Sequence, residues 1–349
     1  MKNVTTVGLD LAKNVFQVHG VDERGRAVLR KTLKRAEMSI FFASLPTCLI
    51  GMEACGGAHF WARKLATLGH TVKLMAPQFV KPYVKSNKND ARDAEAICEA
   101  VARPTMRYVP VKSADQQSVL ALHRVRQGFV TARTAQANQI RGLLGEFGIV
   151  IRKGIGAIGR ELPEILEDGE NGLPFPSRQL FQRLLSHFRE LDRQVRELER
   201  AITAWHQENE DSERLEGIPG IGPLTATALV ASIGDARTFR GGRQMAAWLG
   251  LVPRQHSSGG KERLLGISKR GDVYLRTMLI HGARSLLLSL KRRGVAGDGW
   301  IGRLLQRRSL NVAIVALANK NARIVWALLA HGRQYQSGYR PQSVAAAIV

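Results

Sequence analysis

The sequence predicts an α/β domain at the N-terminus followed by a mostly α-helical remainder. In the first hundred residues, short stretches rich in β-branched residues alternate with helix-like stretches. Beyond residue 112, long segments with helical periodicity are separated by turns rich in Gly and Pro. A hydrophobic content of 44% and a charged content of 23% are typical of a soluble globular protein. The 349 residues leave room for two or three domains.

The N-terminal segment is predicted to contain three strands, a helix, a strand, a helix, a strand and a final helix. This order is typical of a mixed sheet covered by helices. The strands are predicted within VTTVGLDL, VFQVHGVD, AVLRKTL, CLIGMEA and TVKLMAP. The helices are predicted near residues 37–44 and 59–68 and within the acidic stretch NKNDARDAEAI.

The middle of the chain is predicted to be helical. Residues 113–147 read as one long basic helix, and residues 148–176, rich in Gly and Pro, read as a connecting region. An apolar stripe with steps of three and four then follows, and it comprises Phe181, Leu184, Phe188, Leu191, Val195, Leu198, Ile202 and Trp205. A stripe this narrow and regular favours a coiled coil, formed within the chain or between subunits.

The C-terminal region begins with EGIPGIGPLTATALVASIGD, a Gly-rich turn that opens into a helix of small residues. This pattern resembles the hairpin of a helix-hairpin-helix element, which offers backbone N–H groups to a phosphate. Residues 254–308 hold thirteen Lys or Arg and three acids. Helices near 272–290 and 310–330 are predicted to supply the core beneath this basic surface.

The chain carries a formal net charge of +23, which points to a polyanionic partner such as nucleic acid. Aromatic residues make up only 6%, so phosphate contacts should dominate over base stacking. The three cysteines have no CxxC spacing and read as reduced and buried. No apolar signal core and no apolar run near 20 residues is apparent, so we expect a soluble intracellular protein without a membrane segment.

Four carboxylates fall at ordered positions in the N-terminal segment. Asp10 lies in the apolar first strand, Glu53 ends the fourth strand, and Asp90 and Asp93 share one face of the acidic helix, with Glu95 on another face. If the first and fourth strands are neighbours, these acids meet at one end of the sheet. Carboxylates clustered in this way favour a hard divalent cation, Mg²⁺ or Mn²⁺.

The motifs GLDLAKN, GMEACGG and NKNDARDAEAI, in this order, resemble the RuvC-like domain of DEDD-type transposases of bacterial insertion sequences. The likeness continues through ALHRVRQGFVTARTAQANQIRGLL and into IPGIGPLTATALVASIGDARTFRGGRQMAAWLGLVPRQHSSGGKERLLGISKRGDVYLR, which resembles the family's C-terminal transposase domain. The resemblance implies a ribonuclease-H-like fold and a DNA recombinase of the bacterial cytoplasm and nucleoid. It also implies metal binding by the four acids, donor and target DNA, and a structured guide RNA.

The resemblance divides the chain into a RuvC-like domain at 1–110, a helical and coiled-coil region at 111–213, a C-terminal transposase domain at 214–335 and a tail at 336–349. A homo-oligomer, dimer or tetramer, is expected, because a heptad stripe and a reaction on four DNA strands both favour assembly. The expected site is a composite one, with the carboxylates of one subunit facing Ser258, the match to the family's serine nucleophile, of another.

The family's serine nucleophile falls on HSSGGKE, where Ser258 is the match and Ser257 the competing assignment. The residues alone are more typical of a polar hairpin turn. Lys261 and Arg263 could bind a phosphate, and His256 is close without being an obvious base. The predicted nucleic-acid contacts are Lys261, Arg263, Lys269, Arg270, Arg124, Arg126, Arg133 and Arg141.

Cys55, close to Glu53, is expected to be a buried structural thiol because no cation is apparent to lower its pKa. His59 and His123 lack metal-ligand spacing and are expected to be structural. The main alternative function is a metal-dependent DNA junction nuclease that uses water as nucleophile. An actin-like kinase lacks a second phosphate loop, and a non-enzymatic binder leaves the four ordered acids unexplained.

Overall fold

The computed structural model describes residues 3–84, 90–294 and 299–338, with the side chains of residues 90 and 91 outside that description. The chain divides into two compact units, Met1–Gln117 and Ser118–Val349. The first unit holds a six-stranded sheet, and the second is mostly helical, as the sequence predicts.

Among its described residues, the first unit contains six strands and four α-helices, followed by the start of a fifth helix. The strands are β1 (Thr6–Leu11), β2 (Val15–Val21), β3 (Ala27–Lys34), β4 (Leu49–Glu53), β5 (Thr71–Met75) and β6 (Tyr108–Val109). The helices are α1 (Met38–Ala43), α2 (Ala58–Ala66), α3 (Pro77–Val80) and α4 (Asp90–Val101). The predicted order of strands and helices is confirmed, with α3 and the two-residue β6 as additions.

The sheet has the strand order β3-β2-β1-β4-β5-β6. β1, β4 and β5 are mutually parallel, while β2 is antiparallel to β1 and to β3, and β6 is antiparallel to β5. The predicted neighbour relation of the first and fourth strands is therefore present. One core, which includes Phe16, Phe42 and Trp61, packs with α1 and α2, and a second, smaller core contains α4 residues such as Ile97 and Val101.

The second unit begins with three helices that share a core of their own. Helix α5 (Ala114–Gly145), which starts four residues before the unit boundary, α6 (Ile155–Glu167) and α7 (Phe175–Gln207) surround residues such as Ile140, Ile158 and Phe181. Along α5 the ion pairs Arg126–Glu199 and Arg133–Asp192 follow opposite chain directions, so α5 and α7 run antiparallel.

Helix α6 lies within the stretch that the sequence analysis predicts to be a connector. The connector prediction is wrong for these thirteen residues, which form a helix even though Pro163 lies inside it. Apolar residues at helical spacing, Ile155, Ile158 and Leu162, pack into the shared core. This burial outweighs the breaker residues on which the prediction depended.

The apolar stripe of α7 is covered within the chain. Phe181, Phe188, Leu191 and Val195 are buried, and the other members of the stripe are buried or half-buried. Helices α5, α6 and α9 contribute to this cover. The predicted helix–helix packing is therefore present inside one chain, while a coiled coil between subunits stays a prediction.

The rest of the second unit is a helical core that carries one hairpin. Its elements are α8 (Glu210–Glu216), α9 (Pro223–Ile233), α10 (Gly242–Trp248), β7 (Pro253–Gln255), β8 (Leu264–Ile267), α11 (Val273–Arg292), α12 (Trp300–Arg307) and α13 (Leu310–His331). Helices α9, α10, α11 and α13 supply most of the buried apolar residues. The predicted helices near 272–290 and 310–330 correspond to α11 and α13.

The Gly-rich turn between α8 and α9 packs against α11. The backbone of Gly220 approaches that of Gly282 so closely that a Cβ on Gly282 would lie 1.9 Å from the Gly220 carbonyl oxygen. The two helices and the turn are present, but α8 has only seven residues. The helix-hairpin-helix function of this turn stays a prediction.

Helix α13 is long and apolar enough to cross a membrane by length and composition. Polar and charged residues interrupt it at Asn319, Lys320, Asn321 and Arg323, so it is not a continuous apolar run of that length. The helix instead packs against α10 and α11, with Ala318, Ala322 and Val325 fully buried. Its apolar character is thus explained by its place in the core of the second unit.

Candidate functional site

Asp10 and Glu53 lie side by side where two parallel strands end. The β1–β4 register pairs Leu9 with Met52, and each acid is the next residue on its strand. Leu9 and Met52 are fully buried, whereas the two acids are half-buried. Because neighbouring parallel strands keep the same alternation, both carboxylates lie on one face of the sheet.

Helix α4 covers that same face, and two glycines make its close approach possible. A Cβ on Gly8 would lie 2.1 Å from the Ala94 carbonyl oxygen, and a Cβ on Gly51 would lie 2.7 Å from the Val101 Cβ. Gly8 and Gly51 each precede an acid by two residues, so each lies on the same face as the carboxylate that follows. The glycines in GLD and GME therefore explain why the first turn of α4 reaches the acids, a signal that the sequence analysis did not use.

Glu53 is electrostatically coupled to two other predicted ligands. Partial burial raises the pKa of Glu53, and the nearby carboxylates of Asp10 and Asp93 raise it further. Three acids from β1, β4 and α4 therefore interact at one end of the sheet. The Asp90 side chain, predicted as the fourth member, lies outside the described residues. Glu95 is half-buried on α4 and does not contribute to the pKa shift of Glu53.

Within the residues that the structure describes, no three His, Cys, Asp or Glu side chains already converge on a single ion-sized position. The three coupled carboxylates are nevertheless hard oxygen donors, which suit a divalent cation. A cation beside them would lower the repulsion that raises the pKa of Glu53. The donor chemistry therefore fits a metal ion, and the Asp90 carboxylate is the group that would complete the set.

Cys55 is exposed, so the prediction of a buried thiol is wrong for this residue. The strand ends at Glu53, and the chain then turns outward at the glycines before α2. Partial desolvation and the carboxylates of Glu53 and Asp10 raise the pKa of Cys55, which makes the thiol a poor nucleophile. The other two cysteines, Cys48 and Cys98, are buried as predicted.

Ser258 lies at the tip of the exposed β7–β8 hairpin. The pairing continues past the strands, because the His256 N–H donates to the Arg263 carbonyl and the Lys261 N–H donates to the Ser258 carbonyl. Gly259 and Gly260 form the two-residue turn, with φ values of 56° and 76°. Two positive φ angles at a hairpin tip define a type I′ turn, which explains the two glycines.

The register of the hairpin separates the two candidate serines. Side chains on paired residues share a face, so Ser258 lies with Lys261, and His256 lies with Arg263 on that same face. Ser257 lies on the opposite face, where its hydroxyl accepts a hydrogen bond from Gln255 Nε2 at 3.1 Å. The face of Ser258 is therefore the more cationic of the two.

The base of the hairpin is held much more tightly than its tip. A Cβ on Gly250 would lie 2.0 Å from the Arg270 carbonyl oxygen, and a Cβ on Gly271 would lie 1.8 Å from the Trp248 carbonyl oxygen. The buried Arg276 guanidinium joins the two segments by donating to the carbonyls of Leu249 and Arg270, both at 3.1 Å.

Lys269, one of the predicted phosphate contacts, lies in this same base. It is exposed and adopts a φ of 54°, the only positive φ at a non-glycine position among the described residues. Its N–H donates to the Gly250 carbonyl, which holds the backbone in that conformation. Arg270 is likewise exposed. The side chains of both residues therefore point away from a firmly held loop.

Three of the predicted arginine contacts on α5 have partners within the chain. Arg126 donates to Glu199, Arg133 forms an ion pair with Asp192, and Arg141 donates to the carbonyls of Arg152 and Gly154. These contacts hold α5 to α7 and to the loop before α6. Arg124 is exposed on α5, as a phosphate contact requires. The assignment of all four to nucleic acid stays a prediction.

The histidines singled out from the sequence have structural partners. His123 is buried, with Nε2 at 2.9 Å from the Thr227 hydroxyl and Nδ1 at 3.0 Å from the Tyr274 hydroxyl. Burial, together with the nearby Arg126, lowers the pKa of His123 to about 4. His59 Nδ1 accepts from the Lys112 N–H. Both histidines therefore act in packing.

A second serine in the chain resembles part of a hydrolase triad. His206 lies 2.7 Å from the Ser212 hydroxyl through Nδ1 and 3.0 Å from Glu216 through Nε2. Ser212 is fully buried, so no substrate can reach its hydroxyl. The trio instead fixes α8 to the end of α7.

Carboxylates that interact at one end of a sheet, in a chain of net charge +23 with an exposed serine hairpin, are compatible with an enzyme that acts on DNA. Comparisons with known proteins identify the class as transposase. A DEDD-type transposase family model matches residues 7–149, and the model described as "Transposase IS116/IS110/IS902 family" matches residues 212–295.

The relatives cover nearly the whole chain. A probable family 20 transposase of Pseudomonas aeruginosa is 56% identical over 96% of this chain and 100% of its own length. The transposase of insertion sequence element IS1111A from Coxiella burnetii is 46% identical over 97% of this chain and 93% of its own. The transposase of element IS1328 from Yersinia enterocolitica is 45% identical over 95% and 98%. The chain belongs to the IS116/IS110/IS902 transposase family, and it is a DNA transposase.

Proposed function

We propose that the chain cuts and rejoins DNA with Ser258 as nucleophile and with a divalent-metal site formed by Asp10, Glu53, Asp90 and Asp93. The observation that carries the proposal is the coupling of Glu53 to Asp10 and Asp93 at one end of the sheet. A carboxylate cluster of this kind has no evident structural use, because the repulsion destabilises the fold.

The first unit is, in this proposal, a ribonuclease-H-like domain of the RuvC type. Its support is the strand order β3-β2-β1-β4-β5, in which three central parallel strands are extended by an antiparallel pair. The carboxylates lie where the parallel strands β1 and β4 end, and ligands of open α/β sheets bind at the carboxyl ends of such strands.

Mg²⁺ or Mn²⁺, held by these carboxylates, would supply charge stabilisation for a phosphodiester under attack. The fold of the chain sets the positions of these carboxylates. Asp10 and Glu53 are fixed by the β1–β4 register, while Asp93 is brought in by α4. The backbone thus holds the acids in place before any ion or DNA arrives.

In the proposed reaction, Ser258 Oγ bonds to the scissile phosphorus while the bond from phosphorus to the leaving oxygen breaks. The serine proton passes to His256, which lies on the same face of the hairpin, and the departing oxygen takes up a proton as it leaves. Lys261 and Arg263 on that face neutralise the phosphate. Rejoining reverses these steps with a hydroxyl of the new strand as nucleophile.

The nucleic-acid contacts proposed around the serine are the exposed cations Lys261, Arg263, Lys269 and Arg270, with Arg124 farther along the chain. The net charge of +23 supports binding to more nucleic acid than one strand, which suits donor DNA, target DNA and a structured guide RNA. We propose that a dimer or tetramer carries out the reaction in the bacterial cytoplasm, at the nucleoid.

One observation favours a second candidate, a junction nuclease with water as nucleophile. The carboxylates are built into the fold, whereas Ser258 lies at an exposed hairpin tip with no described side chain holding its hydroxyl. A reaction at the carboxylates alone would leave no covalent link between protein and DNA.

The test incubates the protein with end-labelled DNA carrying the element's ends and its guide RNA, quenches in detergent and looks for a protein–DNA adduct. The proposal expects an adduct with wild type and with Ser257→Ala, and none with Ser258→Ala. The reverse pattern would assign the nucleophile to Ser257. Cleavage without an adduct in any of the proteins would establish the water-using nuclease.

A further inference from the structure

Helix α7 carries a stripe of arginines on a solvent-facing strip beside its buried face. Arg189, Arg193, Arg196 and Arg200 follow steps of four, three and four. At 100° per residue, they fall within an arc of about 60° on the helix surface. All four are exposed. The stripe extends over roughly 16 Å, since each residue adds 1.5 Å along the axis.

The stripe lines a groove and does not project from a convex surface. A cavity of about 660 Å³ opens between α6 and α7, and Arg160 of α6 faces the stripe across it. Gly156 and Gly159 form the α6 wall, and no atom lies within 4 Å of where a Cβ on Gly159 would be. A second cavity shares Arg196 and Arg200 and continues the groove along α7.

Ion pairs balance the charge of this groove only in part. Arg193 pairs with Glu190 and Glu197, and Arg196 pairs with Asp192. In the part of the chain that the structure describes, no ion pair involves Arg189 or Arg200, and Arg160 only helps to lower the pKa of the adjacent Glu161. Asp192 is the single acid among the residues that line the larger cavity, and it also pairs with Arg133.

We propose that this α6–α7 groove, lined by Arg160, Arg189, Arg193, Arg196 and Arg200, binds the sugar-phosphate backbone of duplex DNA. One strand of a duplex carries a phosphate every 3.4 Å along its axis, so about five phosphates span the stripe. The lining has no exposed aromatic side chain for stacking on unpaired bases, which argues for a duplex over a single strand. DNA is the partner chosen because this chain is a DNA transposase.

The groove is formed by α6 and α7, whereas the serine hairpin lies between α10 and α11 in the sequence. The DNA contact is thus separate from the proposed nucleophile and from the contacts proposed around it. It does not depend on Ser258 or on the metal site, and a binding measurement tests it without any strand cleavage.

The experiment compares two triple variants of the full-length protein that lose the same charge. The groove variant is Arg160→Gln/Arg189→Gln/Arg200→Gln, and the control is Arg24→Gln/Arg30→Gln/Arg183→Gln, which removes exposed arginines outside the groove. The dissociation constant for a labelled 30-base-pair duplex is measured by fluorescence anisotropy at several salt concentrations. Each lost phosphate contact lowers the slope of log Kd against log salt by about 0.9.

We expect the slope to fall by about 2 to 3 in the groove variant and by less than 1 in the control. The triple Arg→Lys groove variant should keep the wild-type slope, because a phosphate contact requires only the charge. Equal slopes in groove and control variants would overturn the proposal. A slope lost for an RNA hairpin of equal length but kept for duplex DNA would overturn the choice of DNA.

Circular dichroism and thermal unfolding check that the variants fold. The groove variant is expected to fold, because none of its three replaced side chains takes part in a described ion pair. If the triple variant does not fold, Arg189→Gln alone provides the test. The single variant should lower the slope by about 0.9, whereas Arg183→Gln on the same helix should leave it unchanged.

Discussion

Asp10 and Glu53 lie half-buried at the ends of paired strands beneath α4, whereas Ser258 lies at the exposed tip of a two-stranded hairpin. Backbone register sets the relative position of the two acids, so their geometry exists before substrate binds. The hairpin is held at its base, by Gly250, Gly271 and Arg276, and its tip extends from that support. In the proposed mechanism, the acids form a preorganised carboxylate site, and the hairpin carries the serine to the DNA.

The largest expected effect is on the unfolding free energy, and it comes from the contrast between the base and the tip of the hairpin. Gly271→Ala places a Cβ against the Trp248 carbonyl oxygen at a φ of 83°, so both a clash and backbone strain result. We expect a loss of unfolding free energy of at least about 3 kcal/mol and loss of recombination. Urea denaturation monitored by circular dichroism measures the first quantity.

Gly260→Ala is the matched control at the tip. Its φ is 76°, similar to that of Gly271, yet no atom lies within 4 Å of the added Cβ. Only the strain of a left-handed alanine remains, about 1 kcal/mol. If the two variants lose the same free energy, the base is not held in the way the close contacts indicate.

The carboxylate site is probed by Asp93→Asn, which removes one of the charges that raise the pKa of Glu53. At pH 7.5 in EDTA, less repulsion should raise the melting temperature of the first unfolding transition by about 3 °C. Millimolar Mg²⁺ should raise the melting temperature of wild type and have a smaller effect on the variant, because a ligand is missing.

The pH dependence of this variant has a defined sign. A carboxyl whose pKa is raised on folding stabilises the folded protein below its unfolded pKa, and this contribution is lost as the pH rises through its folded pKa. The advantage of Asp93→Asn should therefore be present at neutral pH and disappear below about pH 4, where the carboxyls are protonated. Glu95→Gln is the control on the same helix. An equal gain in that variant would mean that general helix charge, and not the coupled acids, sets the effect.

The carboxylate site was largely predicted from the sequence, whereas the orientation of the serine side chains on the β7–β8 hairpin was not. Asp10, Glu53 and Asp93 occur within strand and helix patterns that are local, so their order along the chain already implied a shared sheet end. The SSGGK segment read as a polar turn, and it is one. Its register, which puts Ser258 with Lys261 and Ser257 with Gln255, follows from the two-residue turn at Gly259 and Gly260, a hairpin signal that the prediction from sequence did not use.

Partners distant in sequence explain the other differences. Arg126 and Arg133 suit a nucleic-acid surface by composition, but their carboxylate partners on α7 lie 73 and 59 residues away. Helix α6 forms despite Pro163 because α5 and α7 cover its apolar face. Burial by a distant element overrides local propensity in each case.

The smallest expected effect is a partial recovery of DNA cleavage. It is expected when Asp10→Asn and Ser258→Ala proteins, each inactive alone, are mixed, and it tests the carboxylate site and the serine together. The carboxylates precede residue 100 and the serine follows residue 250, with a helical region between them. A helix of thirty residues spans roughly 45 Å, so we expect the acids of one subunit to act with the serine of another. In a randomly assorted dimer, about a quarter of the composite sites then combine an intact acid set with an intact serine. Cleavage of labelled DNA should therefore return to about a quarter of the wild-type level after the proteins are mixed and allowed to exchange subunits.

Sites formed within one chain would give no cleavage at any mixing ratio, because every chain in the mixture lacks either Asp10 or Ser258. Mixing two batches of the Ser258→Ala protein controls for the total protein concentration.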